Sequence, residues 1–364
     1  MDSTLLDLIY EAAAVPERWP AALEGVGALV ETQHLALLAF DPDRRVNYAA
    51  TDAYRPEIAR FSEHATEYDN PRPPRALASG HAGFLTDLEL FTRSELDRDA
   101  IYRDFLYPSG LRFTSGTVIP VPTSDLLVFD LSRSAAHGAY TRREMERLDR
   151  YRPHLARAAL LAHRLGLRAA SGATEALQLL GLPGAALSAS GRVMVANPLF
   201  EQLGPRVSAA AFDHVVLASR TANAALQLAL ADPGAGARSI PIPAGEGEPA
   251  LIAHLLPVRR AAHDIFARAA FLLVVTAVLA PEAPLTEILH GLFDLTPAEA
   301  RVARALAAGL SVEEISARSA TSRETVRTQL KGAMAKTATA RQADLIRLLA
   351  GASPLPETGF TNVR

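Results

Sequence analysis

The strongest constraint on the fold of this chain is a series of helix-start signals near its carboxyl end, within residues 295–350. Thr296 precedes Pro297, and Glu299 stands where a capping box needs it, so a helix begins at Pro297. Gly309 supplies the left-handed residue that ends this helix. Together with the signals that follow, the pattern predicts a compact unit of four short helices.

A second capping box begins at Ser311 and predicts a short helix over residues 312–318. The next four residues form a tight turn. The third helix then begins with Thr321 or Ser322 as its N-cap, and the box spacing to Glu324 favours Thr321.

The third helix has two faces of different chemistry. Apolar residues recur with the period of a buried face at Val326, Leu330 and Ala333 or Met334. Cations fall four residues apart on the opposite face, at Arg323, Arg327 and Lys331. Hydroxyl and amide groups accompany them at Thr325, Thr328 and Gln329. Such a face suits the phosphates and base edges of a DNA major groove.

The net charge of residues 295–350 is opposite in sign to that of the rest of the chain. Residues 295–350 hold nine Lys and Arg against five Asp and Glu, a net charge of +4, whereas the rest of the chain holds 28 against 35, or −7. A basic module on an acidic body is typical of a DNA-binding unit attached to domains that do not themselves bind DNA.

The segment LTPAEARVARALAAGLSVEEISARSATSRETVRTQLKGAMAKT resembles the LuxR-type helix-turn-helix of bacterial transcription regulators. With the helix that follows, the resemblance covers about a sixth of the chain. The resemblance implies base contacts at Arg327, Thr328 and Lys331. It implies contacts with the DNA backbone at Ser322, Thr325, Gln329 and Lys336. The segment after Lys336 is similar to the family's fourth helix, which implies a dimer contact on DNA at Leu345, Ile346 and Leu349.

The turn before the third helix departs from the family pattern. Ser319, Ala320 and Thr321 stand where the family usually has an apolar residue, a glycine and a branched apolar residue. A more polar turn weakens the packing between the second and third helices. Two alternatives therefore stay open: a helical interaction module whose basic face is merely solvated, and a signalling adaptor whose tail has lost DNA binding.

Other classes of function are disfavoured by what the chain lacks. It has no cysteine, which excludes disulfides, thiolate metal sites and iron–sulfur clusters. Its ten histidines are scattered without metal-ligand or catalytic spacing, so we expect no enzyme, metal or cofactor. The start of the chain lacks a basic signal-peptide region, and the longest apolar run, residues 269–280, is too short to span a bilayer. We expect a soluble, cytoplasmic protein that does not bind membranes.

The first part of the chain, residues 1–165, is predicted to be an α+β sensory domain of GAF-like or PAS-like shape. All eight tyrosines and the one tryptophan fall within its first 151 residues. Helices are predicted at residues 5–14 and 21–30, and strands at 34–40, 46–50, 114–121 and 126–132. The runs at residues 16–20 and 102–112 resemble stretches of the sensory domains of some LuxR-type regulators.

Aromatic and polar residues in this domain are candidates for a ligand pocket: Tyr68, Asp69, Tyr102, Phe105 and Tyr107. The alternative is that they belong to the core. Acyl-homoserine lactone receptors of this superfamily depend on paired tryptophans in the ligand domain. The lone Trp19 lies in a predicted helix, which argues against that ligand.

A capping box at Thr141 begins a connector helix that extends from about residue 141 to about residue 170. Its apolar seam consists of Met145, Leu148, Leu155, Ala159, Ala162 and Leu165. Two interpretations remain open at this stage: a stalk that pairs with a second copy, and an amphipathic helix that covers the sheet of the first domain.

A second, PAS-like domain is predicted over residues 173–280. It begins with strands at 184–188 and 193–196 and a helix capped by Asn197, and it ends with strands at 250–258 and 269–279. The Pro- and Gly-rich stretches 232–237 and 241–249 are predicted loops. A linker at 281–294, the helix-turn-helix domain at 295–351 and a flexible tail at 352–364 complete the chain.

These observations predict a multidomain protein with two α+β sensory domains followed by an all-α DNA-binding domain. Its function is expected to be that of a bacterial transcription regulator that responds to a small ligand or a partner. The expected partners are double-stranded promoter DNA and a second copy of the chain. The alternative is the protein-partner adaptor with a degenerate helix-turn-helix.

Overall fold

A computed structural model describes residues 2–121, 125–209, 213–232, 234, 236–258, 269–279 and 285–351. The first part contains α1 (Ser3–Ala14), α2 (Trp19–Ala28), β1 (His34–Phe40), β2 (Val46–Ala50), α3 (Arg55–His64), α4 (Arg72–Ala78), β3 (Leu85–Thr86), α5 (Asp87–Leu90), α6 (Arg93–Leu96), a π-helical turn (Tyr102–Leu106), β4 (Leu111–Pro120) and β5 (Leu126–Ser134). The long helix α7 (Arg142–Leu179) follows.

The middle part contains β6 (Gly184–Leu187), β7 (Val193–Ala196), α8 (Pro198–Glu201), β8 (Val207–Ala209), β9 (Val215–Leu217), α9 (Arg220–Ala231), β10 (Arg238–Ile242), β11 (Leu251–Pro257) and β12 (Phe271–Ala277). The last part contains α10 (Thr286–Phe293), α11 (Pro297–Ala307), α12 (Val312–Ser319), α13 (Arg323–Lys336) and α14 (Gln342–Ala350). The chain is thus mixed α/β in front and helical at its carboxyl end.

The first sheet is antiparallel in the order β2-β1-β5-β4-β3 and is covered on both faces. Successive side chains of a strand point to opposite faces, so β1 contributes to two cores. Leu35 and Leu37 pack with α1, α2 and α7, while Ala36 and Leu38 pack with α3 and the π-helical turn. The predicted α+β arrangement of this part is therefore a helix–sheet–helix sandwich.

Helix α7 begins at the predicted capping box, in which Thr141 and Glu144 bond each other's backbone N–H groups. Its seam from Met145 to Ala162 is buried against the first sheet, as the sheet-covering interpretation predicted, whereas Leu165 is 41% exposed. The helix extends nine residues beyond the predicted end at Ala170, and its last turns pack on β6 and β7. One helix therefore belongs to both sheets.

The second sheet is also antiparallel, in the order β10-β11-β12-β6-β7. Counted from the first strand of each sheet, both sheets have the strand order 2-1-5-4-3. The prediction missed β10 because Pro241 was taken to begin a loop. Pro241 instead lies in an edge strand, where the absence of its N–H group is tolerated.

Asn197 joins the second sheet to the end of α7. Its Oδ1 accepts hydrogen bonds from the backbone N–H groups of Phe200 at 2.9 Å and Gly184 at 3.1 Å. Its Nδ2 donates to the carbonyl oxygens of Thr174 at 3.0 Å and Leu182 at 2.9 Å. The sequence predicted the helix cap but not the contact with α7.

The carboxyl-terminal unit has five helices among the described residues, one more than predicted. Helix α10 lies within the predicted linker 281–294, but Leu289 is fully buried in a core with Leu295 and Ala300. The helical unit therefore begins before residue 295. The part of the linker at residues 281–284 and the predicted tail, residues 352–364, lie outside the described residues.

None of the helices in the described ranges combines the length and the apolar composition that crossing a bilayer requires.

Candidate functional site

Helix α13 is held by local capping and by two small cores. The side chain of Ser322 accepts a hydrogen bond from the backbone N–H of Thr325 at 3.0 Å, so Ser322 is the N-cap and the preference for Thr321 was wrong. Val326 packs with α11 and α12, and Ala333 packs with α10, α11 and α14. The predicted buried face of this helix is confirmed.

The opposite face of α13 carries the predicted DNA contacts. Most of these side chains are exposed: Ser322, Arg323, Thr325, Arg327, Thr328, Lys331 and Lys336, with Gln329 partly buried. Arg323 lies 3.8 Å from a carboxylate oxygen of Glu313. Within the described residues, Arg327 and Lys331 form no ion pair. These two cations, one helical turn apart, are available to an external anion.

Lys336 has a different environment from the other cations. Its Nζ donates to the carbonyl oxygen of Asp294 and to Oε2 of Glu299, both at 2.9 Å. The hydrogen bond from Lys336 lowers the pKa of the Glu299 carboxyl. At Gly332 the two helices meet so closely that a Cβ atom would lie 2.4 Å from Oε1 of Glu299. Lys336 therefore fastens the end of α13 to the start of α11, a role that its sequence position did not reveal.

The polar turn before α13 is strained but hydrogen-bonded. Ala320 has a left-handed backbone with φ of 48°, a conformation that favours glycine. The hydroxyl of Ser319 donates to the carbonyl of Ile315 at 2.7 Å, and that of Ser316 donates to the carbonyl of Thr321 at 2.6 Å. These hydroxyl groups satisfy carbonyls at the end of α12 and of the turn, so the turn is ordered without an apolar plug.

The predicted dimer contacts on α14 need a correction. Leu345 and Leu349 are 0% exposed and pack in the core with Leu289 and Ala303. They cannot face a second copy while this core is intact. Ile346 is only partly buried, and Leu348 is exposed, so any contact through α14 must use these positions.

A cavity of about 60 Å³ lies on one face of the first sheet, beneath α3 and α4. Its walls are mostly apolar and include Leu38, Ile58, Phe61, Phe105, Val118 and Val128. A few polar side chains converge on it, which is the usual composition of a small-molecule site.

Of the predicted pocket residues, only Phe105 lines this cavity. Tyr102 is buried behind it, with its hydroxyl 3.2 Å from that of Thr114, and Tyr68 stacks on Phe61. Tyr107 points elsewhere and donates to Asp97 at 2.8 Å. Asp69 is exposed and does not line this cavity.

Trp19 lies on the other side of the first sheet. It is fully buried and packs against Phe129, in the core that includes α1, α2 and α7. It is not part of the cavity wall.

The polar groups of the cavity were missed by the sequence reasoning. The hydroxyl of Tyr54 donates to Oδ2 of Asp130 at 3.1 Å, and that of Thr114 donates to Asp87. The guanidinium of Arg72 lies 3.6 Å from Oδ1 of Asp87. Among the described residues, Nε and Nη2 of Arg72 lack a hydrogen-bond acceptor, so a ligand oxygen would find donors there.

Burial governs the protonation of the two acids in the cavity wall. It raises the pKa of Asp87, although Arg72 opposes this shift. It raises the pKa of Asp130 to about 6, again against the attraction of Arg72. Asp130, a charged residue within the apolar run of residues 126–131, was the one sequence signal for this site.

No protein-family model matches the chain, and no curated protein matches it. Similar solved structures include SdiA of Escherichia coli, with 12% identity, coverage of 93% of this chain and 90% of that one, and a TM-score of 0.31. They also include the N-acylhomoserine lactone dependent LuxR family transcription factor CepR2 of Burkholderia cenocepacia, with 17% identity, coverage of 45% and 98%, and a TM-score of 0.33. A GAF domain/HD domain protein of Geobacter sulfurreducens has 18% identity, coverage of 44% and 98%, and a TM-score of 0.28. These similarities are low and concern the fold alone.

The strained turn generates one prediction. Ala320→Gly should stabilise the carboxyl-terminal unit by about 1 kcal/mol, because glycine adopts a left-handed backbone without the steric cost of a Cβ atom. Amide hydrogen exchange of α12 and α13 measures this change. Ala335→Gly, within α13 and exposed, is the matched control and should destabilise by about 1 kcal/mol. A loss of protection in Ala320→Gly would contradict the account.

The raised pKa of Asp130 in the cavity wall leads to a second prediction. Native Asp130 keeps its proton to about pH 6, whereas the unfolded residue loses it near the ordinary value of 3.8. The native state binds more protons between these values, so stability falls as pH rises through this window. Asp130→Asn should remove this fall and be more stable at neutral pH, by at most about 3 kcal/mol.

Chemical denaturation from about pH 3 to about pH 8 spans the pKa of Asp130 in the unfolded and in the folded state. It measures the difference in the free energy of unfolding between Asp130→Asn and the natural chain. Asp69→Asn, at an exposed position of the same domain, is the control. A constant difference across the range would contradict the raised pKa.

Proposed function

We propose that the chain is a bacterial transcription regulator that binds promoter DNA through α13 as a homodimer. We further propose that it acts in the cytoplasm and that it is not an enzyme. The observation that carries this proposal is the pair of exposed cations, Arg327 and Lys331, one turn apart on a capped helix. Neither has an ion-pair partner among the described residues, and both lie opposite the buried face.

The proposed binding mode places α13 in the major groove. A guanidinium such as that of Arg327 can donate two parallel hydrogen bonds to O6 and N7 of a guanine. Lys331 and Thr328 would meet neighbouring base edges, while Ser322 and Thr325 at the start of the helix would meet phosphates. Two copies would present two such helices to half-sites about one DNA turn apart, ~34 Å.

The proposed input is a small molecule in the cavity of the first sheet. Arg72 offers hydrogen-bond donors, Asp130 and Tyr54 offer further polar atoms, and the remaining wall is apolar. Because β1 contributes to this wall and to the core shared with α7, occupation of the cavity would alter the element that connects the two sheets.

Substitutions on α13 test the proposed DNA contacts. Arg327→Ala should weaken binding to a selected site by about 1–3 kcal/mol and relax the preference at one base pair, because it removes a base contact. Lys336→Ala should weaken binding to all DNA sequences alike. The change removes a cation near the proposed position of the DNA phosphates, and it loosens the attachment of α13 to α11.

Binding is measured on selected and on random duplexes at several salt concentrations. Arg301→Ala, an exposed cation on α11 away from the proposed interface, is the matched control. Equal losses on selected and random DNA for both Arg327→Ala and Lys336→Ala would overturn the assignment of roles.

The polar turn at residues 319–321 favours one second candidate, a signalling adaptor whose helix-turn-helix no longer binds DNA. The isolated fragment 281–364 separates the two functions in a gel-shift assay. A shift that weakens with salt supports the regulator, and the absence of a shift at low salt supports the adaptor.

A further inference from the structure

The second half of α7 has an apolar face that stays exposed in the described part of the chain. Helical spacing places on one side of the helix Leu161, Leu165, Gly172, Ala176 and Leu179. The three leucines are 45%, 41% and 89% exposed, and the two small residues are exposed as well. A row of exposed leucines on one helix face is typical of a surface that meets another protein.

The same side of α7 is covered in the first half of the helix. Positions 154 and 158 stand two helical turns before Leu161 and Leu165, so they lie on the same face. The hydroxyl of Tyr10 in α1 and Nδ1 of His154 form a 2.9 Å hydrogen bond, and Ala158 is fully buried in the core that includes α1. The exposed face therefore continues a surface that already packs against a helix.

Contacts on the inner side of this segment fix its orientation. The carbonyl of Thr174 accepts a hydrogen bond from Nδ2 of Asn197 at 3.0 Å. Leu177 packs so closely on β6 that a Cβ atom at Gly184 would lie 2.3 Å from its Cδ1. The exposed leucines cannot turn inward without breaking these contacts, so only a further molecule can bury them.

Charged residues at the border of the face match a second copy of α7 that runs in the opposite direction. Arg168 and Glu175 lie on the same border, both are exposed, and neither forms an ion pair within the described residues. In a parallel pair of helices Arg168 would meet Arg168 of the other copy. In an antiparallel pair like borders meet, so Arg168 of each copy faces Glu175 of the other.

We propose that two copies of the chain meet through this face, with the second halves of their α7 helices antiparallel. The register that pairs Arg168 with Glu175 also places Leu161 against Leu179 of the other copy, within one helical turn. Gly172 then lies near the crossing point, where an added Cβ atom would meet nothing within 4 Å in one copy and would separate the two helices in the pair. This inference rests on the proposed homodimer and names the surface that forms it.

The dimensions of the face indicate a weak dimer. Residues 161–179 span ~28 Å of helix that is ~10 Å wide, so each copy covers roughly 300 Å². A stable complex covers about 800 Å² per partner. The two copies therefore separate at low concentration, and a covalent trap is the suitable test.

Cysteine cross-linking tests the contact cleanly, because the natural chain has no cysteine. Leu161→Cys and Leu179→Cys are made as separate full-length proteins, mixed at high concentration and treated with a short bismaleimide. The mixture should form a covalent dimer. Leu161→Cys alone should not, since antiparallel copies hold the two 161 positions ~28 Å apart. In the control mixture Leu228→Cys, a leucine of α9 that is 74% exposed, replaces Leu179→Cys and should not cross-link.

Charge exchange tests the orientation independently. Arg168→Glu or Glu175→Arg, added to both cysteine variants, brings like charges together and should lower the cross-linking yield by about threefold or more. The double exchange should restore the yield, which a merely structural effect of either change would not do. Arg143→Glu, exposed in the first turn of α7 and outside the face, is the matched control and should leave the yield unchanged.

The contradicting results are distinct. If Leu161→Cys cross-links with itself better than with Leu179→Cys, the antiparallel pairing is wrong. If no pair cross-links although sedimentation shows a dimer, the copies meet through another surface, so this inference fails and the proposed homodimer stands. If the chain sediments as a monomer at every concentration, with and without selected DNA, the proposed homodimer fails as well.

Discussion

The packing of α7 on two different sheets is the contact on which the front part of the structure depends. Its first half fills the core beneath the first sheet, where Leu148 and Leu155 are completely buried. Its last turns reach the second sheet, where the carbonyl of Thr174 accepts a hydrogen bond from Asn197. A change in the first sheet that moves α7 must therefore either move the second sheet or break these contacts. Helix α7 therefore couples a structural change in the first α+β part to the second one.

In the carboxyl-terminal unit, a few side-chain contacts likewise fix the position of one helix, α13. The orientation of α13 is fixed by Val326 and Ala333 on its buried face and by Lys336 at its end. Because Lys336 bonds the capping-box residue Glu299, the same side chains that start α11 also hold the end of α13. Arg327 and Lys331 remain exposed on the opposite face of the helix that these contacts hold.

Local signals were sufficient to predict much of this structure. The capping boxes at Thr141, Thr296 and Ser311 begin helices where the sequence placed them, because each depends on a residue and its third successor. A continuous apolar run that ends at Asp41 and Pro42 likewise located β1. Helix α10 was missed because its cap residue, Leu285, makes no side-chain hydrogen bond and therefore leaves no capping signal.

The sites were harder to predict because they form from residues distant in sequence. Arg72, Asp87 and Asp130 come together only when the sheet and α4 are assembled, and no spacing in the sequence indicates it. The aromatic run that suggested a pocket instead supplies mostly core, since Tyr102 is buried behind the cavity. For α14, the family resemblance implied a dimer contact, and Leu345 and Leu349 instead pack in the core of the helical unit.

We propose that α13 reads DNA sequence through Arg327 and Lys331, which form no ion pair among the described residues. Selection of random duplexes by the purified full chain tests it most directly. The account predicts enrichment of a sequence with two similar half-sites whose centres lie about one helical turn, ~10 base pairs, apart. Folded protein that enriches no sequence over the starting pool would contradict it.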